Sequence, residues 1–294
     1  MKTRNYIILG ALLLVCASCY KEKPIISELG EPRHELVDSN EPARHYTYEL
    51  WKNTGTIILD DYDELDYKWN VSANSPNVLT LPEKDPELYD AAITLLRSIW
   101  LDDYTEDFIR NYFPVKILLA DTIRDNKYQG EIWDDQISQH GRAYIAVGRI
   151  RKDCFPVGAE DQTTAKGKLH ATLWADFICK NNLIQLPQAF FIPCEDHYSE
   201  SMSKNKHRDD MEYIREMGFW RYDERNLSNE WMLPDRIGDI SDFIEMIVTH
   251  TAEEMSAELK GYETLTIKYN ILLKAISEAC GIDLQAIGNK KISK

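Results

Sequence analysis

Apolar residues recur every three or four positions in several stretches of the sequence, a spacing that places them on one face of an α-helix. The clearest stretch is 85–100, where Pro86 is typical of a first helical turn. Its apolar stripe consists of Leu88, Ala91, Ala92, Leu95, Leu96 and Ile99. The same spacing predicts further helices at 105–112, 163–180, 211–217, 239–260 and 264–280. Gly281 is a typical end for the last of them.

Shorter apolar runs between turn residues predict β-strands. Residues 115–120 form one such run, and residues 142–150 form another directly after Gly141. The segments 54–59 and 65–69 are weaker strand candidates. The predicted order mixes helices with strands and then continues mostly with helices. This order indicates an α+β fold, with a small mixed sheet in the N-terminal half and a mostly helical C-terminal half.

The first eighteen residues have the three zones of an export signal. Two basic residues open the segment, and residues 6–15 are almost wholly apolar. This run of 10 residues is too short to span a membrane as a helix, which takes about 20 residues. Two small residues then precede Cys19, which resembles a lipobox, whose cysteine is acylated before the signal is removed. We therefore predict a signal peptide at 1–18 and a lipid on Cys19, with an uncleaved tethering helix as the alternative.

The segment that follows the signal peptide is rich in Glu, Lys, Pro and Ser and shows no clean periodicity. Such a composition buries too little apolar area to offset the entropy lost on ordering. We therefore predict a flexible tether at 19–44 and a folded domain at 45–294. Each buried CH₂ of an acyl chain contributes about 0.8 kcal/mol to membrane affinity. The partner predicted for this end of the chain is the membrane, through the lipid anchor.

The charge of the chain is strongly acidic, with 49 acidic against 34 basic residues and a net charge of −15. Removal of the signal peptide takes away Lys2 and Arg4 and no acidic residue, which leaves 32 basic residues and a net charge of −17. A protein that binds nucleic acid normally has the opposite sign. The composition therefore argues against nucleic acid as a partner.

Four cysteines follow Cys19, namely Cys154, Cys179, Cys194 and Cys280. Their wide spacing matches neither a zinc ribbon nor a redox pair. In an oxidising compartment they could form one or two disulfides. Four buried free thiols are an equal alternative.

Four phrases of the sequence occur in an order that resembles a known family. They are 86–100 with 113–119, the strand 141–150, the helix 169–182, and 241–246 with the later 280–284. Together they resemble the zincin-like lipoproteins of Gram-negative glycan-import loci, the substrate-import-associated zinc metallohydrolases, over about residues 45–292. The resemblance implies a zincin-like α+β fold, a place at the outer membrane, and a TonB-dependent transporter complex as a partner.

In that family a central helix carries the motif His-Glu-x-x-His. Its two imidazoles, four positions apart, share one Zn²⁺, and its glutamate polarises the zinc-bound water as general base. Here the family pattern falls on Thr172, Leu173 and Asp176. A register shifted to His170 keeps one imidazole but neither the glutamate nor the second histidine. The resemblance therefore implies a degenerate motif, no catalytic residues and the loss of ordinary zinc hydrolysis.

The third zinc ligand of the family comes from a later helix, whose pattern matches residues 241–246. A carboxylate survives there as Asp242 or Glu245. The candidate metal ligands of this chain are therefore Asp176, Glu245 and His170, with zinc as the cofactor if any is bound and no cofactor as the expectation. The alternative role for the surviving carboxylate is a helix cap or a salt-bridge partner.

Three aromatic residues, Trp220, Tyr222 and Trp231, lie in a loop-like region after Gly218. Exposed aromatic rings can stack on the apolar faces of sugars. These three residues are therefore candidates for binding a glycan or a peptide. Packing of the rings beneath a long loop is the alternative.

Three functions stay open from the sequence. The first is a non-catalytic, outer-membrane lipoprotein that assists nutrient import and holds a substrate or partner in the former active-site cleft. The second is an active metallohydrolase with a non-standard metal site that draws on His170, Asp176 and Glu245. The third is a structural surface lipoprotein that assembles a complex without a small ligand.

Overall fold

A computed structural model of the chain describes residues 33–68, 77–125, 135–223 and 231–292. The predicted signal peptide at 1–18, Cys19 and the first part of the predicted tether lie outside these residues. The chain divides into two compact units, Met1–Leu36 and Val37–Lys294, and every element named below belongs to the second. Among the described residues, no helix is long and apolar enough to cross a membrane.

The N-terminal half contains a small mixed sheet. The described strands are β1 (Ile57–Leu59), β2 (Asn77–Thr80), β3 (Lys116–Leu119), β4 (Thr122–Asp125), β5 (Ser138–His140) and β6 (Tyr144–Val147). Four of them are ordered β1-β3-β6-β5, with β1, β3 and β6 parallel and β5 antiparallel at one edge. Ile117 of β3 lies between Ile58 of β1 and Ile145 of β6. Strands β2 and β4 pair separately as an antiparallel ribbon.

Helices account for most of the remaining described residues. They are α1 (Pro42–Thr54), α2 (Glu64–Tyr67), α3 (Pro86–Ile99), α4 (Glu106–Tyr112), α5 (Ala159–Ala171), α6 (Met211–Glu216), α7 (Arg236–Thr249), α8 (Ala252–Glu258), α9 (Glu263–Cys280) and α10 (Leu284–Asn289). Short 3₁₀ turns cover Leu101–Asp103, Gln188–Phe190 and Ile192–His197. Four predicted helices are confirmed as α3, α4, α6 and α9. Their ends follow the expected chemistry: Asp85 and Thr105 cap α3 and α4, and Gly281 ends α9 at a φ of 74°.

The strand predicted at 65–69 is wrong, because the described part of this segment forms helix α2. The Asp63 carboxylate accepts a hydrogen bond from the Leu65 N–H at 2.7 Å, and the Asp66 carboxylate accepts one from the Asp63 N–H at 3.1 Å. These reciprocal bonds form a capping box that starts a helix. The local capping bonds outweigh the short alternation of apolar residues on which the strand prediction was based.

The single helix predicted at 239–260 is two helices, α7 and α8. The chain turns out of α7 at His250, and Thr251 then starts α8 through a second capping box. In that box the Glu254 carboxylate accepts the Thr251 N–H at 2.8 Å, and the Thr251 hydroxyl accepts the Glu254 N–H at 3.3 Å. Helix α7 also starts earlier than predicted, at Arg236, with Asp235 as its cap.

The central helix, predicted at 163–180, begins at Ala159 as α5 and continues as a π-helix over Thr172–Cys179. A π-helix is wider than an α-helix and is uncommon, and it often occurs at functional sites. The predicted buried face is confirmed, with Leu169, Leu173 and Trp174 in the core. Helix α5 packs closely against α7.

Two clusters of buried side chains stabilise the described unit. The larger one includes Trp100, Trp174 and Phe243, and it extends to Ala43 of α1, a helix that begins inside the predicted tether. The smaller one consists of Cys194, Met202, Ile214, Phe219 and Leu233. Four cysteines in the described part of the chain are free thiols, at the positions named above. The fold is thus mixed α/β, with a small sheet and many helices.

Candidate functional site

The edge strand β5 packs along the central helix, and four side chains of the two elements face each other there. The Ser138 hydroxyl is 2.7 Å from the Thr172 hydroxyl, and His140 Nδ1 is 3.9 Å from the Asp176 carboxylate. Ser138 and His140 share a face of β5 because side chains alternate along a strand, while Thr172 and Asp176 are four positions apart on the helix and point to the same side. We call these four residues the β5 cleft.

Next to this cleft, Glu245 of α7 is held by two cations. Lys168 Nζ donates to Glu245 Oε2 at 3.0 Å, and Arg221 Nη2 donates to the same oxygen at 2.6 Å. Arg221 Nε also donates to Asp242 Oδ1 at 2.9 Å. We call Lys168, Arg221, Asp242 and Glu245 the charge cluster. Lys168 is four positions before Thr172, and its carbonyl accepts a hydrogen bond from Ser138, so the cluster borders the β5 cleft.

The electrostatics of the cluster favour an ionised Glu245. Burial by itself would raise the pKa of this carboxyl, but the cations of Lys168 and Arg221 outweigh burial and hold the pKa below its usual range. Only 15% of the Glu245 side chain is exposed. In such a partly desolvated place, opposite charges interact more strongly than they do in water.

Close packing of two helices brings Glu245 to Lys168. A Cβ atom on Gly167 would lie only 2.8 Å from Glu245 Cγ and 3.0 Å from Thr249 Cγ2. The absent side chain of Gly167 therefore lets α7 approach α5 at this point. The sequence feature that builds the charge cluster is a glycine one position before the lysine.

His170 lies in the core and not in the cleft. It is fully buried, and its Nε2 is 3.1 Å from the Ile99 carbonyl oxygen while its Nδ1 is 2.7 Å from the Tyr104 hydroxyl. Because a carbonyl only accepts, Nε2 carries the proton and Nδ1 accepts from Tyr104. The Tyr104 oxygen in turn accepts a hydrogen bond from Trp174 Nε1 at 2.8 Å. Burial lowers the pKa of His170, and both ring nitrogens are engaged within the protein.

The residues that the family resemblance aligns with the zinc motif do not fit a zinc ion. Catalytic zinc sites use three protein ligands, most often histidine nitrogens and a carboxylate. Here Thr172 offers a hydroxyl, Leu173 is fully buried in place of the general base, and His170 points into the core. Of the predicted ligands, Asp176 faces His140 and Glu245 faces two cations. Across the described residues, no group of three or more His, Cys, Asp or Glu side chains is placed to hold a metal ion.

Of the three aromatic residues predicted to bind a ligand, one is buried in the core and two are half-buried. Trp220 is only 3% exposed and packs edge-on against Phe243 at 5.6 Å between ring centroids. It is therefore a core residue and presents no face to a sugar, as the packing alternative predicts. Tyr222 and Trp231 are half-buried and contact each other at 5.4 Å, with Arg208 5.7 Å from the Trp231 ring. These two rings stay candidates for a ligand surface.

Sequence reasoning found Asp176 and Glu245 but missed the two cations that define the site. Lys168 and Arg221 are not metal-ligand residues, so a search for ligands passes over them. A usable signal was present, because Lys168 lies four residues before Thr172 and therefore on the same helix face. Arg221 had no comparable signal, since it reaches Glu245 from 24 positions away in the sequence.

Comparisons with known proteins bear on the fold. No protein-family model matches the sequence, and no curated protein matches it. Among solved structures, the chain is similar to a "putative zinc-binding metallo-peptidase" from Bacteroides caccae. The TM-score is 0.52 at 12% sequence identity, over 86% of this chain and 92% of that chain. At this low sequence identity the similarity concerns the fold alone, which resembles that of the metallo-peptidase.

Proposed function

We propose that this chain is a zincin-like binding protein that does not hydrolyse its ligand and holds an extended peptide in the β5 cleft. The observation that carries the proposal is the pairing of Glu245 with Lys168 and Arg221. Two protein cations converge on Glu245, and one of them also binds Asp242, so both carboxylates that the family resemblance offers as a third zinc ligand are paired. The similarity to a metallo-peptidase fold supports the scaffold, and the charge cluster supports the loss of its metal chemistry.

Zinc binding at Glu245 would have to displace two charge-assisted hydrogen bonds. Such bonds are shorter and stronger than neutral ones, and the freed ammonium and guanidinium groups would then lie beside a divalent cation. Like charges at this distance disfavour metal entry. The imidazole of His170 does not compensate, because both of its nitrogens are used in the core. The site therefore favours binding over hydrolysis.

The geometry of β5 favours a peptide as the ligand. In the β5–β6 pair, the Gly148 N–H donates to the Ile137 carbonyl at 2.9 Å, and the Gly141 N–H donates to the Tyr144 carbonyl at 2.9 Å. Because bonded positions alternate along an antiparallel strand, the backbone of Ser138 points away from β6. An extended peptide can add to such an edge through main-chain hydrogen bonds.

The cellular setting is a further part of the proposal. A lipid on Cys19 would hold the protein at the outer membrane, and the family resemblance supports a TonB-dependent transporter as its partner. In that setting the cleft would present peptides, or peptide-bearing nutrients, to the import complex. A mutant with Cys19→Ser should leave the membrane fraction, and its retention there would contradict the anchor.

Zinc titration tests the loss of metal chemistry. The full chain, dialysed against a chelator, is titrated with ZnCl₂ by isothermal calorimetry, and its metal content is measured after purification. We expect less than stoichiometric zinc and no cleavage of labelled casein, with or without the metal. One tightly bound zinc ion per chain, together with casein cleavage that a chelator removes, would overturn the proposal in favour of an active metallohydrolase.

Peptide capture tests the ligand class. The immobilised chain is incubated with a tryptic digest of casein, and the retained peptides are counted by mass spectrometry. Ser138→Pro removes an N–H that points away from β6, whereas the control Ser138→Ala keeps it. We expect the proline variant to lose at least about tenfold in retention, the equivalent of one or two hydrogen bonds. Equal retention by the two variants, or capture of a starch hydrolysate in place of peptides, would contradict peptide addition at β5.

A further inference from the structure

A second concave surface lies away from the β5 cleft and shares no residue with it. It is a groove of about 810 Å³. Its walls come from the start of α1, the exposed side of α3, and the loop 155–157 with Gln162 of α5. A volume of this size falls within the range of about 300–1,000 Å³ that is typical of ligand sites.

The walls of this groove are fixed before any ligand arrives. Lys152 Nζ pairs with the Asp85 carboxylate at 2.6 Å and so joins the loop that precedes Phe155 to the first turn of α3. The Gln162 side-chain amide donates to the carbonyl oxygens of Pro156 and Val157 at 3.3 Å and 3.2 Å. A preformed site loses less conformational entropy on binding than a mobile one.

The groove combines apolar walls with negatively charged carboxylates. Its apolar lining includes Ala91, Leu95, Phe155, Pro156 and Val157. Val157 is 77% exposed and so presents its side chain to a partner. Glu41, Glu87 and Asp90 also line the groove and are exposed. None of the described residues that line it is a lysine or arginine.

We propose that this groove binds a segment of a partner protein that carries apolar side chains together with lysine or arginine. The apolar lining accounts for the first part of this chemistry, since burial of apolar area drives association. The three carboxylates account for the second, because complementary charge selects and steers the partner. The same carboxylates repel anionic lipid headgroups, which argues against the membrane surface as the occupant.

A peptide array tests the proposal. The full chain, in detergent and detected through a tag, is applied to an array of random octapeptides at low salt. We expect the retained peptides to combine lysine or arginine with leucine, proline or aromatic residues. The double variant Glu87→Gln with Asp90→Asn should lower their binding at least about tenfold, and higher salt should weaken the wild type in the same direction.

Two further variants make the result specific to the groove. Ala91→Trp fills the groove from an exposed position of α3 and should abolish retention of the basic, apolar peptides. The matched control is Glu212→Gln with Glu216→Gln, which removes two exposed carboxylates of α6 outside the groove and should change binding less than about twofold. Circular dichroism confirms that each variant is folded.

Several outcomes would overturn the proposal. They are an array that retains no basic, apolar peptides, and binding of such peptides that the groove variants leave unchanged. Binding of the wild type to phosphatidylglycerol vesicles that the groove variants abolish would also overturn it. The Ser138→Pro variant should keep its binding to the basic, apolar peptides, so failure of the groove proposal and failure of the β5 proposal are separable.

Discussion

His170 shows how strongly the surroundings of one residue decide its chemistry. In the sequence it is the imidazole nearest to the residues that the family resemblance aligns with the zinc motif, and it therefore qualifies as a candidate metal ligand. In the structure it lies in the core between Tyr104 and the Ile99 carbonyl, with Asp103 3.4 Å from its Nε2. Its hydrogen bonds join the central helix to the segment after α3. The residue thus contributes to the architecture of the fold rather than to a metal site.

The buried neutral state of His170 makes stability depend on pH. Burial lowers the pKa of His170 below 6.5, so the unfolded chain binds a proton that the folded chain does not. Stability from this group is therefore present above pH 6.5 and is lost as the pH falls below it. We expect His170→Gln to be less stable than the wild type by about 1–3 kcal/mol at pH 8. Urea unfolding should show this difference shrinking toward pH 5.5.

His45 provides a control whose contribution to stability has the opposite pH dependence. Its hydrogen bond to Asp38 raises the pKa of His45 above 6.5, so its contribution is present at low pH and is lost as the pH rises. The difference between the wild type and His45→Gln should therefore fade toward high pH. A difference between the wild type and His170→Gln that is constant from pH 8 to pH 5.5 would contradict the neutral, buried imidazole.

The contribution of Glu245 to stability changes over a more acidic pH range than that of His170. Because its pKa is held below 4.5, its stabilising contribution is present above pH 4.5 and is lost as the pH falls further. We expect Glu245→Gln to lower the unfolding free energy by about 1–2 kcal/mol at pH 7. The loss is this small because Lys168 is partly exposed and solvent weakens its interaction with Glu245. The cost should diminish near pH 3.5 in urea unfolding. Glu253→Gln, an exposed change on α8, should cost less than about 0.5 kcal/mol.

At the scale of elements, the contact between α5 and α7 depends on Gly167. Alanine in a helix interior is normally favoured over glycine by about 1 kcal/mol. At this position, however, a Cβ would lie within 2.8 Å of Glu245 Cγ, and the two helices would have to separate. We expect Gly167→Ala to lower the unfolding free energy by about 1–3 kcal/mol despite the propensity gain. Thermal and urea unfolding measure the effect.

Gly158, just before α5, is the matched control for this prediction. The nearest atom to a Cβ there would be an Asp161 oxygen at 3.6 Å, an ordinary contact. We expect Gly158→Ala to change stability by less than about 1 kcal/mol, because it only replaces a glycine cap by alanine. Equal effects of the two substitutions would show that Gly167 is not required for the approach of α7.

The elements that could be predicted from the sequence are those in which local pattern and tertiary packing agree. Helix α3 has an apolar stripe, a proline in its first turn and an Asp85 cap, and it lies where it was predicted. Helix α2 and the break at His250 were missed because two capping boxes, at Asp63 and Thr251, override the surrounding periodicity. Strand β5 was missed since Ser-Gln-His has no apolar alternation, and its pairing with β6 is set by tertiary structure.

The same reasoning explains which part of the candidate site could be found in advance. Thr172 and Asp176 were placed correctly on one helix face, because helical spacing is a local property. Their partners Ser138 and His140 come from strand β5, and the Arg221 partner of Glu245 comes from a distant part of the chain. These contacts depend on tertiary packing, which no periodicity encodes.

At the scale of the whole molecule, one buried ion pair joins the two core clusters. Lys268 of α9 is fully buried and donates to both oxygens of Asp239 at 2.7 Å, and also to the Gly218 carbonyl at 2.8 Å. The Tyr198 hydroxyl donates to the same carboxylate at 2.7 Å. Three aromatic rings surround the ammonium at about 5 Å, from Phe190, Phe219 and Phe243.

Removal of one partner of this pair should destabilise the whole unit. Lys268→Met leaves the Asp239 carboxylate buried without its cation, and we expect a loss of about 3–5 kcal/mol in unfolding free energy. The double variant Lys268→Met with Asp239→Leu should recover at least about half of that loss, since no lone charge stays buried. Urea unfolding of both variants measures this. A double variant less stable than the single one would show that the pair itself, and not the unpaired charge, is decisive.

The charge cluster has a consequence for the environment in which the protein can work. A zinc ion can be removed by a chelator or become scarce when other organisms compete for it, whereas lysine and arginine are covalent parts of the chain. If the cluster keeps the scaffold in shape beside the β5 cleft, ligand binding should be equal in zinc-starved and zinc-rich media. Zinc binding at this place would require new imidazoles and the removal of both cations together.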